Sequence, residues 1–293
     1  MLLTAAHNER ADIEHTIRSV LSQTVLPIKW VIASDNSTDG TDELVQRYAC
    51  EYDWICFLRI SREPGTSFAS KVIALQKGEE LLRGIPYRYI GVADGDVAFE
   101  PFYFQRLMER FDANPRLGIA GGFVHDLIDG TFLNRPGNTS QSVSHAGQLV
   151  RRECFESFGG YAVLKYGGED WHALISAQMK GWLGEAFPDL KIFHYRPTGT
   201  KNNHLRHVFR QGRMDYSLGS YFPFEILKCA TRIPASPFFV GGVARLVGFC
   251  WSSIIREERP VTKEFIKFLR EGQKRRVREL ITGAKNSRNA AQV

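Results

Sequence analysis

The 293-residue sequence has no Gly-x-Gly-x-x-Gly after its first apolar run and no Gly-x-x-x-x-Gly-Lys-Ser/Thr anywhere. The usual backbone cradles for dinucleotides and nucleoside triphosphates are therefore absent. Cysteine is scarce: Cys50, Cys56, Cys154, Cys229 and Cys250 are odd in number and widely spaced, with no Cys-x-x-Cys. That pattern excludes a disulfide framework and a structural zinc site and suits a reducing cytoplasm. Met1 to Ala6 runs straight into polar His7-Asn8-Glu9-Arg10, so the start reads neither as a signal peptide nor as a membrane anchor. Long apolar runs are missing too, apart from 18 residues, Phe238 to Ile255, which hold Arg245, three glycines and Ser252-Ser253. A spanning helix needs about 20 apolar residues, and a central arginine costs about 2.5–3.5 kcal/mol on insertion. Lys228 and Arg232 before the run match Arg256 and Arg259 after it, so no charge asymmetry orients a span.

What is present is an ordinary globular composition, 43% hydrophobic and 24% charged, enough for one large domain with an appendage. Charge is unevenly spread. Residues 1–199 carry 20 Lys and Arg against 25 Asp and Glu, whereas residues 200–293 carry 18 against 7. This divides the chain near Pro197 to Asn203 into domains of about 1–200 and 201–293 with different partners.

Apolar runs and helical periodicity alternate through the first hundred residues. Strands are expected at Leu2–Ala6, Lys29–Ser34, Ile55–Arg59 and Tyr87–Ala93. Between them come a helix bearing Ile13, Ile17, Val20 and Leu21, with Asp12 as its cap, a second bearing Leu44, Val45, Tyr48 and Ala49, and a third over Phe68–Leu82. Such alternation predicts an α/β fold with a mostly parallel, Rossmann-like sheet flanked by helices. A helix over Pro101–Asn114 follows, then strands at Leu117–Val124, Ser144–Arg151 and Leu190–Arg196, and a helix over Trp171–Lys180. The long loop Asp126–Gln141 is a candidate lid.

Polar residues gather where the strands stop, which is where open α/β sheets bind ligands. His7 to Arg10, Asp35 to Thr41 and Asp94-Gly95-Asp96 should line one crevice, Gly95 giving the backbone freedom to turn. Asp94 and Asp96 so close together repel unless a cation lies between them, and a Mg²⁺ or Mn²⁺ that also bridges a diphosphate is the usual solution. The competing reading is a polar turn before the next helix. Gly168-Glu169-Asp170 is a second acidic turn, and there too simple helix capping competes. His194 ends a strand as a potential metal ligand or as a hydrogen-bonded structural residue.

The order Thr4-Ala-Ala-His-Asn8-Glu9, Ser34-Asp35-Asn36-Ser37-Thr38-Asp39-Gly40-Thr41, Asp94-Gly-Asp96, Gly168-Glu169-Asp170, His194 resembles the inverting family 2 glycosyltransferases with the GT-A fold. Gly118-Ile-Ala-Gly-Gly122, Arg151-Arg-Glu-Cys-Phe155 with Gly159-Gly-Tyr161, and Asp189–Gly199 look like bacterial members that build exopolysaccharide or other surface glycans. The resemblance covers about residues 1–215. It implies a nucleotide-sugar half over 1–100 and an acceptor half over 101–200. By the same resemblance Thr4, Ala5, His7 and Glu9 hold the nucleotide, Asp35 accepts the hydrogen bond of the base, and Asp94 with Gly95 lies near the ribose and metal. Asp96 ligates Mn²⁺ or Mg²⁺, with Asp94 and His194 beside it. Lys71 neutralises diphosphate charge, unless it is only a solvated helix residue. Asp170 is the general base and Glu169 its neighbour at the acceptor end. The Gln-x-x-Arg-Trp signature of processive synthases is replaced by Phe209-Arg-Gln-Gly-Arg-Met214, which points to addition of one sugar per encounter.

The partners implied are a UDP- or GDP-sugar and a glycan or lipid-linked acceptor. The C-terminal extension reads as helical, basic and amphipathic, with Val261, Phe265, Phe268 and Leu269 forming an apolar stripe among lysines and arginines. That composition suits the anionic inner face of the plasma membrane rather than nucleic acid; the competing reading is that these elements pack on the catalytic domain as ordinary core. A sugar nucleotidyltransferase would need a Gly-rich turn that is missing here, and a non-catalytic scaffold would have no use for Asp94, Asp96 and Asp170 together.

Overall fold

A computed structural model describes residues 1–61, 69–196, 204–230 and 240–290; the expected start of the third helix at Phe68, the expected boundary at 197–203, Arg232, and Phe238 with Phe239 lie outside them. The chain forms two compact units, Met1–Thr198 and Gly199–Val293.

In the first unit β1 (Leu2–Ala6), α1 (Ile13–Leu21), β2 (Trp30–Asp35), α2 (Thr41–Glu51), β3 (Ile55–Ile60), α3 (Ala69–Leu81) and β4 (Tyr89–Ala93) alternate as the periodicity predicts. Every residue of β2 and β4 is buried, as continuous apolar runs require of central strands covered on both faces. These four pair in parallel in the order β3-β2-β1-β4. Ile13, Ile17 and Val20 bury one face of α1 against the sheet. Asp12 does not cap α1 through its side chain. Its carboxylate turns instead toward Arg196, 3.8 Å away.

Beyond β4 the sheet departs from the parallel pattern. β5 (Val97–Phe99), α4 (Tyr103–Ala113), β6 (Leu117–Ile128), β7 (Thr131–Asn134), β8 (Gly147–Arg151), α5 (Arg152–Phe158), α6 (Glu169–Met179) and β9 (Leu183–His194) complete the unit. β8 runs antiparallel to β4 and to β6, β9 runs parallel to β6, and β5 closes the order against β9, so the sheet as a whole is mixed. The segment expected as a loop over Asp126–Gln141 is partly a hairpin of β6 and β7, turning at Asp129 and Gly130, both with positive φ. Arg135, one residue past β7, grips Asp126 through two hydrogen bonds of 2.9 and 2.6 Å. That clamp ties the hairpin to the sheet and makes half of the expected lid a fixed element.

The second unit holds α7 (His204–Ser217), α8 (Phe222–Ala230), α9 (Val240–Ile254) and α10 (Lys263–Ala290). Arg245, which looked like an obstacle inside an apolar run, is 2% exposed. It meets Glu225 at 3.0 Å and also pairs with Asp215, while Lys228 reaches Asp215 at 2.8 Å. The stripe read as lipid-facing is corrected as well: Phe265 and Leu269 are buried, and only Phe268 of α10's aromatic pair shows to solvent. Arg270 and Gln273 of α10 bond the backbone at Gly219 and Tyr221, so this face has a protein partner. No helix among the described residues is long and apolar enough to cross a membrane.

Removing one partner from a buried ion cluster leaves the others without compensation, at a cost of about 3–5 kcal/mol. Arg245→Met should therefore destabilise the protein by about that much in urea unfolding, whereas an exposed cation such as Arg256 should be neutral to replace. Equal stability of Arg245→Met and the parent would show that Asp215 and Glu225 do not depend on it.

Candidate active site

Three strand-end loops are stitched into one surface. Asn8, with φ 54°, accepts a hydrogen bond from the Thr38 amide at 2.9 Å and donates its own amide to Ser37 Oγ at 3.1 Å. The Glu9 amide donates to Thr41 Oγ1 and the Arg10 amide to Asp39 Oδ2. The Ser37-Thr38-Asp39-Gly40-Thr41 run thus shapes the loop after β1 as much as its own. His7 lies 2.5 Å from the Asp35 carbonyl oxygen, and Asp35 is 6% exposed at the end of β2. Ala5 remains partly accessible, but Thr4 is fully buried, its hydroxyl accepting from Trp30 Nε1 at 3.0 Å. The Thr4 side chain belongs to the core and not to the crevice.

Gly95 does not use a positive φ. It is needed because a Cβ there would lie 3.2 Å from the Glu9 side chain, so the acidic turn seats directly on the loop after β1. Asp94 and Asp96 face different partners. Lys71 Nζ sits 2.6 Å from Asp94 Oδ1. Burial works against ionisation of Asp94, yet the Lys71 charge and hydrogen bond hold its carboxyl below the usual range. Asp96 is 7% exposed, and burial followed by the charge of Asp94 raises its carboxyl, partly offset by His194 and Arg196. Two carboxylates two residues apart thus titrate in opposite directions, a signature of a functional site.

His194 arrives on β9, with Nε2 3.6 Å from Asp96 Oδ1. Its Nδ1 is 2.7 Å from Asp126 Oδ1 and 3.0 Å from Arg135 Nη2, so the ring is held from that side and turns Nε2 toward Asp96. Arg196, two residues on, reaches Glu9 at 2.5 Å and Asp96 at 3.1 Å. Asp126, Arg135 and Arg196 were not singled out from sequence. The Asp129-Gly130 hairpin signal would have brought the first two into view.

No group of three His, Cys, Asp or Glu among the described residues is arranged to hold a metal ion. The expected set of Asp94, Asp96 and His194 is therefore reduced, since Asp94 is engaged by Lys71. Asp96 is engaged as well, by Arg196 on Oδ2, but its Oδ1 faces His194 Nε2 at 3.6 Å, close enough for both atoms to reach one divalent cation with bonds of about 2.1 Å. The Asp126 carboxylate behind the imidazole is the arrangement that metal-binding histidines use.

The second acidic turn lies within electrostatic reach of the first. Gly168, with φ 89°, precedes α6 and sets Glu169 and Asp170 in its first turn. Neither capping nor solvation describes them fully. Lys71 is stabilised in its charged form against burial by Asp94 and then by Glu169 and Asp170. Burial opposes ionisation of Glu169, but His145 and Lys71 hold it at about 2. Burial first, and the Glu169 charge after it, raise Asp170 and make it the stronger base of the pair. One Asp170 oxygen accepts from the Trp171 amide at 2.7 Å.

His145 is a residue that the sequence reading passed over. It is 2% exposed in the turn before β8, its ring 4.4 Å from Tyr161 in an edge contact. Neither ring nitrogen has a hydrogen-bond partner among the described residues, and Nδ1 lies 3.7 Å from Glu169, too long for a hydrogen bond and an ion pair only when the ring carries a second proton. The largest cavity described, about 640 Å³, lies elsewhere. It is lined by Met1, Tyr87, Arg152 and Gly160 near the amino ends of β1 and β4, away from the strand-end carboxylates.

A depressed carboxyl contributes stability that is complete above its unfolded pKa, here 4.5, and is lost as pH falls toward the folded value of about 2. His145→Phe should lift the Glu169 titration toward 4.5 in carboxyl NMR. The variant's stability deficit should be present at pH 6 and should shrink toward pH 2. An unchanged Glu169 titration would show that His145 does not act on it.

Comparison with known proteins agrees with this geometry. The model of the family described as "Glycosyl transferase family 2" matches residues 2–165. A poly-beta-1,6-N-acetyl-D-glucosamine synthase of Staphylococcus epidermidis is 29% identical over 124 residues, 41% of this chain and 27% of the relative, and its Staphylococcus aureus (strain COL) counterpart is 29% identical over 123 residues, again 41% and 27%. The chain thus spans about a quarter of the length of the curated relatives it matches. Among solved structures, a mannosyltransferase from Pyrobaculum calidifontis in complex with GDP-Man and Mn²⁺ superposes with TM-score 0.56 at 15% identity, covering 98% of this chain and 79% of that one. S. aureus TarS 1–349 in complex with UDP-GlcNAc gives 0.55 at 13%, covering 92% and 77%. These likenesses show the fold, that of the GT-A glycosyltransferases, with helices following the catalytic sheet. With more than half its length matched by the family model, the chain belongs to glycosyl transferase family 2 and is a glycosyltransferase.

Proposed function

We propose that this glycosyltransferase moves a single sugar, with inversion, from a UDP- or GDP-sugar to a hydroxyl of a glycan or lipid-linked acceptor in bacterial surface or exopolysaccharide synthesis. The observation that carries the reading is the separation of two acidic centres around one ammonium: Asp94 and Asp96 with His194 on one side, Glu169 and Asp170 on the other, and Lys71 acting on both. Solved neighbours that bind UDP-GlcNAc or GDP-Man support the donor class, and the curated relatives named as polysaccharide synthases support the setting. The Phe209–Met214 segment lacks the processive signature, which favours single addition.

Displacement at an anomeric carbon needs a leaving diphosphate with its charge neutralised and an acceptor hydroxyl deprotonated on the opposite face. Asp96 and His194 would hold a Mn²⁺ or Mg²⁺, which when bound supplies positive charge to the diphosphate. Asp126 and Arg135 hold the His194 ring from its Nδ1 side, so Nε2 is the atom that would face a cation. Lys71 and Arg196 add positive charge at the strand ends, balanced by Asp94 and Glu9. Glu9, His7, Ala5, Asp35 and Gly95 form the nucleotide side of the crevice. Asp170 takes the acceptor proton on the oxygen that does not accept from Trp171, and Glu169 sustains its basicity by repulsion. We place the enzyme at the inner face of the plasma membrane as a peripheral protein.

Asp96→Ala should abolish Mn²⁺-dependent UDP binding in calorimetry while leaving the thermal transition near that of the parent; equal affinity with and without metal in both proteins would reject the metal assignment. Asp170→Asn should retain donor binding but lose transfer by about 10²- to 10⁴-fold. Near-parental turnover, or a product of retained anomeric configuration, would remove Asp170 from the role of base.

A further inference from the structure

Helix α9 is built the wrong way round for a helix facing water. Arg245, Ser252, Gly242 and Gly248 are buried, while Val240, Val243, Val247, Trp251 and Ile254 are 51, 60, 50, 50 and 75% exposed. At about 100° per residue the exposed five fall within one quarter of the helix circumference, opposite the buried four. The buried side is occupied by protein. Arg245 is satisfied by Asp215, Glu225 and Gln211. A Cβ on Gly248 would lie 2.0 Å from the Phe209 carbonyl oxygen, so α7 and α9 touch backbone to backbone. Phe249 is buried too, edge-on against Tyr216 of α7, but the rest of this buried set is polar or glycine while the large apolar side chains lie outside, which is how helices pack when their surroundings are lipid.

The exposed face continues onto neighbouring helices. Leu205 and Phe209 of α7 form an open furrow of about 410 Å³ with Val240, Val243 and Val247, and Arg206 stands on its wall. Phe222 and Ile226 of α8 are each 46% exposed, and Phe222 stacks near Phe249 of α9. A contiguous apolar patch of this kind marks an interaction surface rather than scattered exposure. Its length decides against spanning: 15 residues make a helix of roughly 22 Å, short of a hydrocarbon core of about 30 Å.

We infer that the exposed face of α9, with Leu205, Arg206 and Phe222 beside it, is a monotopic docking surface for a bilayer containing anionic phospholipid. Charge selects the occupant. α9 has no acidic residue and Arg206 is exposed beside the furrow; past the helix end Arg256 and Glu258 are both exposed while Glu257 is held by Arg213 and Ser252, and residues 200–293 as a whole carry 18 Lys and Arg against 7 Asp and Glu. Anionic headgroups complement that excess, whereas a second copy of this unit would set like charge against like. Trp251 sits on the exposed stripe, and an indole is favoured at the boundary between headgroups and acyl chains. The inference gives the peripheral location proposed above its surface, and it rests on the second unit alone, independent of which sugar is transferred.

The test is co-sedimentation of the full chain with vesicles of phosphatidylcholine alone and with 30% (about one lipid in three) phosphatidylglycerol, at low and high salt. The parent protein should pellet with anionic vesicles, and Trp251 emission, taken as parent minus Trp251→Phe, should shift to the blue. Val243→Glu with Val247→Glu, both at exposed positions, should keep the thermal transition and transfer to a water-soluble acceptor but lose vesicle binding at least tenfold. Arg206→Glu should weaken binding and flatten its salt dependence. A parent protein that stays in the supernatant, or a glutamate variant that pellets equally, would overturn the inference. So would a parent dimer that the glutamate pair converts to monomer without vesicle binding, because the face would then be a self-interface. Loss of transfer with vesicle binding intact would count against the catalytic reading and not against this surface.

Discussion

Carboxylate repulsion is the constraint around which the catalytic unit is built. The crevice at the strand ends brings together Glu9, Asp94, Asp96, Asp126, Glu169 and Asp170, most of them largely shielded from water, where like charges are expensive. Fixed cations pair directly with four of them: Lys71 with Asp94, Arg196 with Glu9 and Asp96, Arg135 with Asp126. Where the compensation is complete the carboxyls are held below their ordinary range, as in Asp94 and Asp126. Where it is incomplete they are raised, as in Asp96 and Asp170. These two under-compensated groups are the ones to which the proposed function gives the cation and the acceptor proton respectively.

The sheet topology makes this possible. Its parallel half delivers the loops after β1, β2 and β4 to one edge, and the antiparallel and parallel pairings of β8, β6 and β9 return Asp126 and His194 to the same edge from residues far along the chain. The register pairs Asp126 with His194 directly across β6 and β9, which is why the imidazole has a carboxylate behind it. A histidine read alone at a strand end has many roles; one held by a carboxylate on one nitrogen and facing another carboxylate with the other has few.

Much of the parallel half was legible because each of its elements is specified by residues close in sequence. Leu2 to Ala6 or Tyr89 to Ala93 need no distant information to be recognised as buried strands, and the polar residues that stop them mark the crevice. The second half was less legible. β9 is 12 residues long but irregular, with Glu185, Pro188 and Asp189 interrupting its apolar pattern and a register shift between Gly122 and Phe123 opposite it, so only its last stretch reads as a strand. Arg196 and His145 carry no local signal, since an arginine or histidine in a polar stretch looks the same whether it faces solvent or a carboxylate brought from elsewhere. Thr4 failed in the opposite direction. It sits in the motif, but period-two alternation along β1 turns its side chain toward Trp30 rather than the crevice.

The C-terminal unit shows how an apolar run with a charge in it should be read. Arg245 was weighed as a cost against insertion, and the cost is real, but the structure meets it with Asp215 and Glu225 from two other helices. Once the arginine has protein partners it fixes which side of α9 faces inward, and every large apolar residue on the other side is thereby turned out. Phe265 and Leu269 of α10, which lie among Lys263, Lys267 and Arg270 and looked better suited to lipid, share no buried ion pair and pack inward instead. Burial of a charge thus sets the orientation of the whole unit: the helix that must satisfy an ion pair gives up its apolar face to the surroundings, and the helix without one keeps its apolar face for the core.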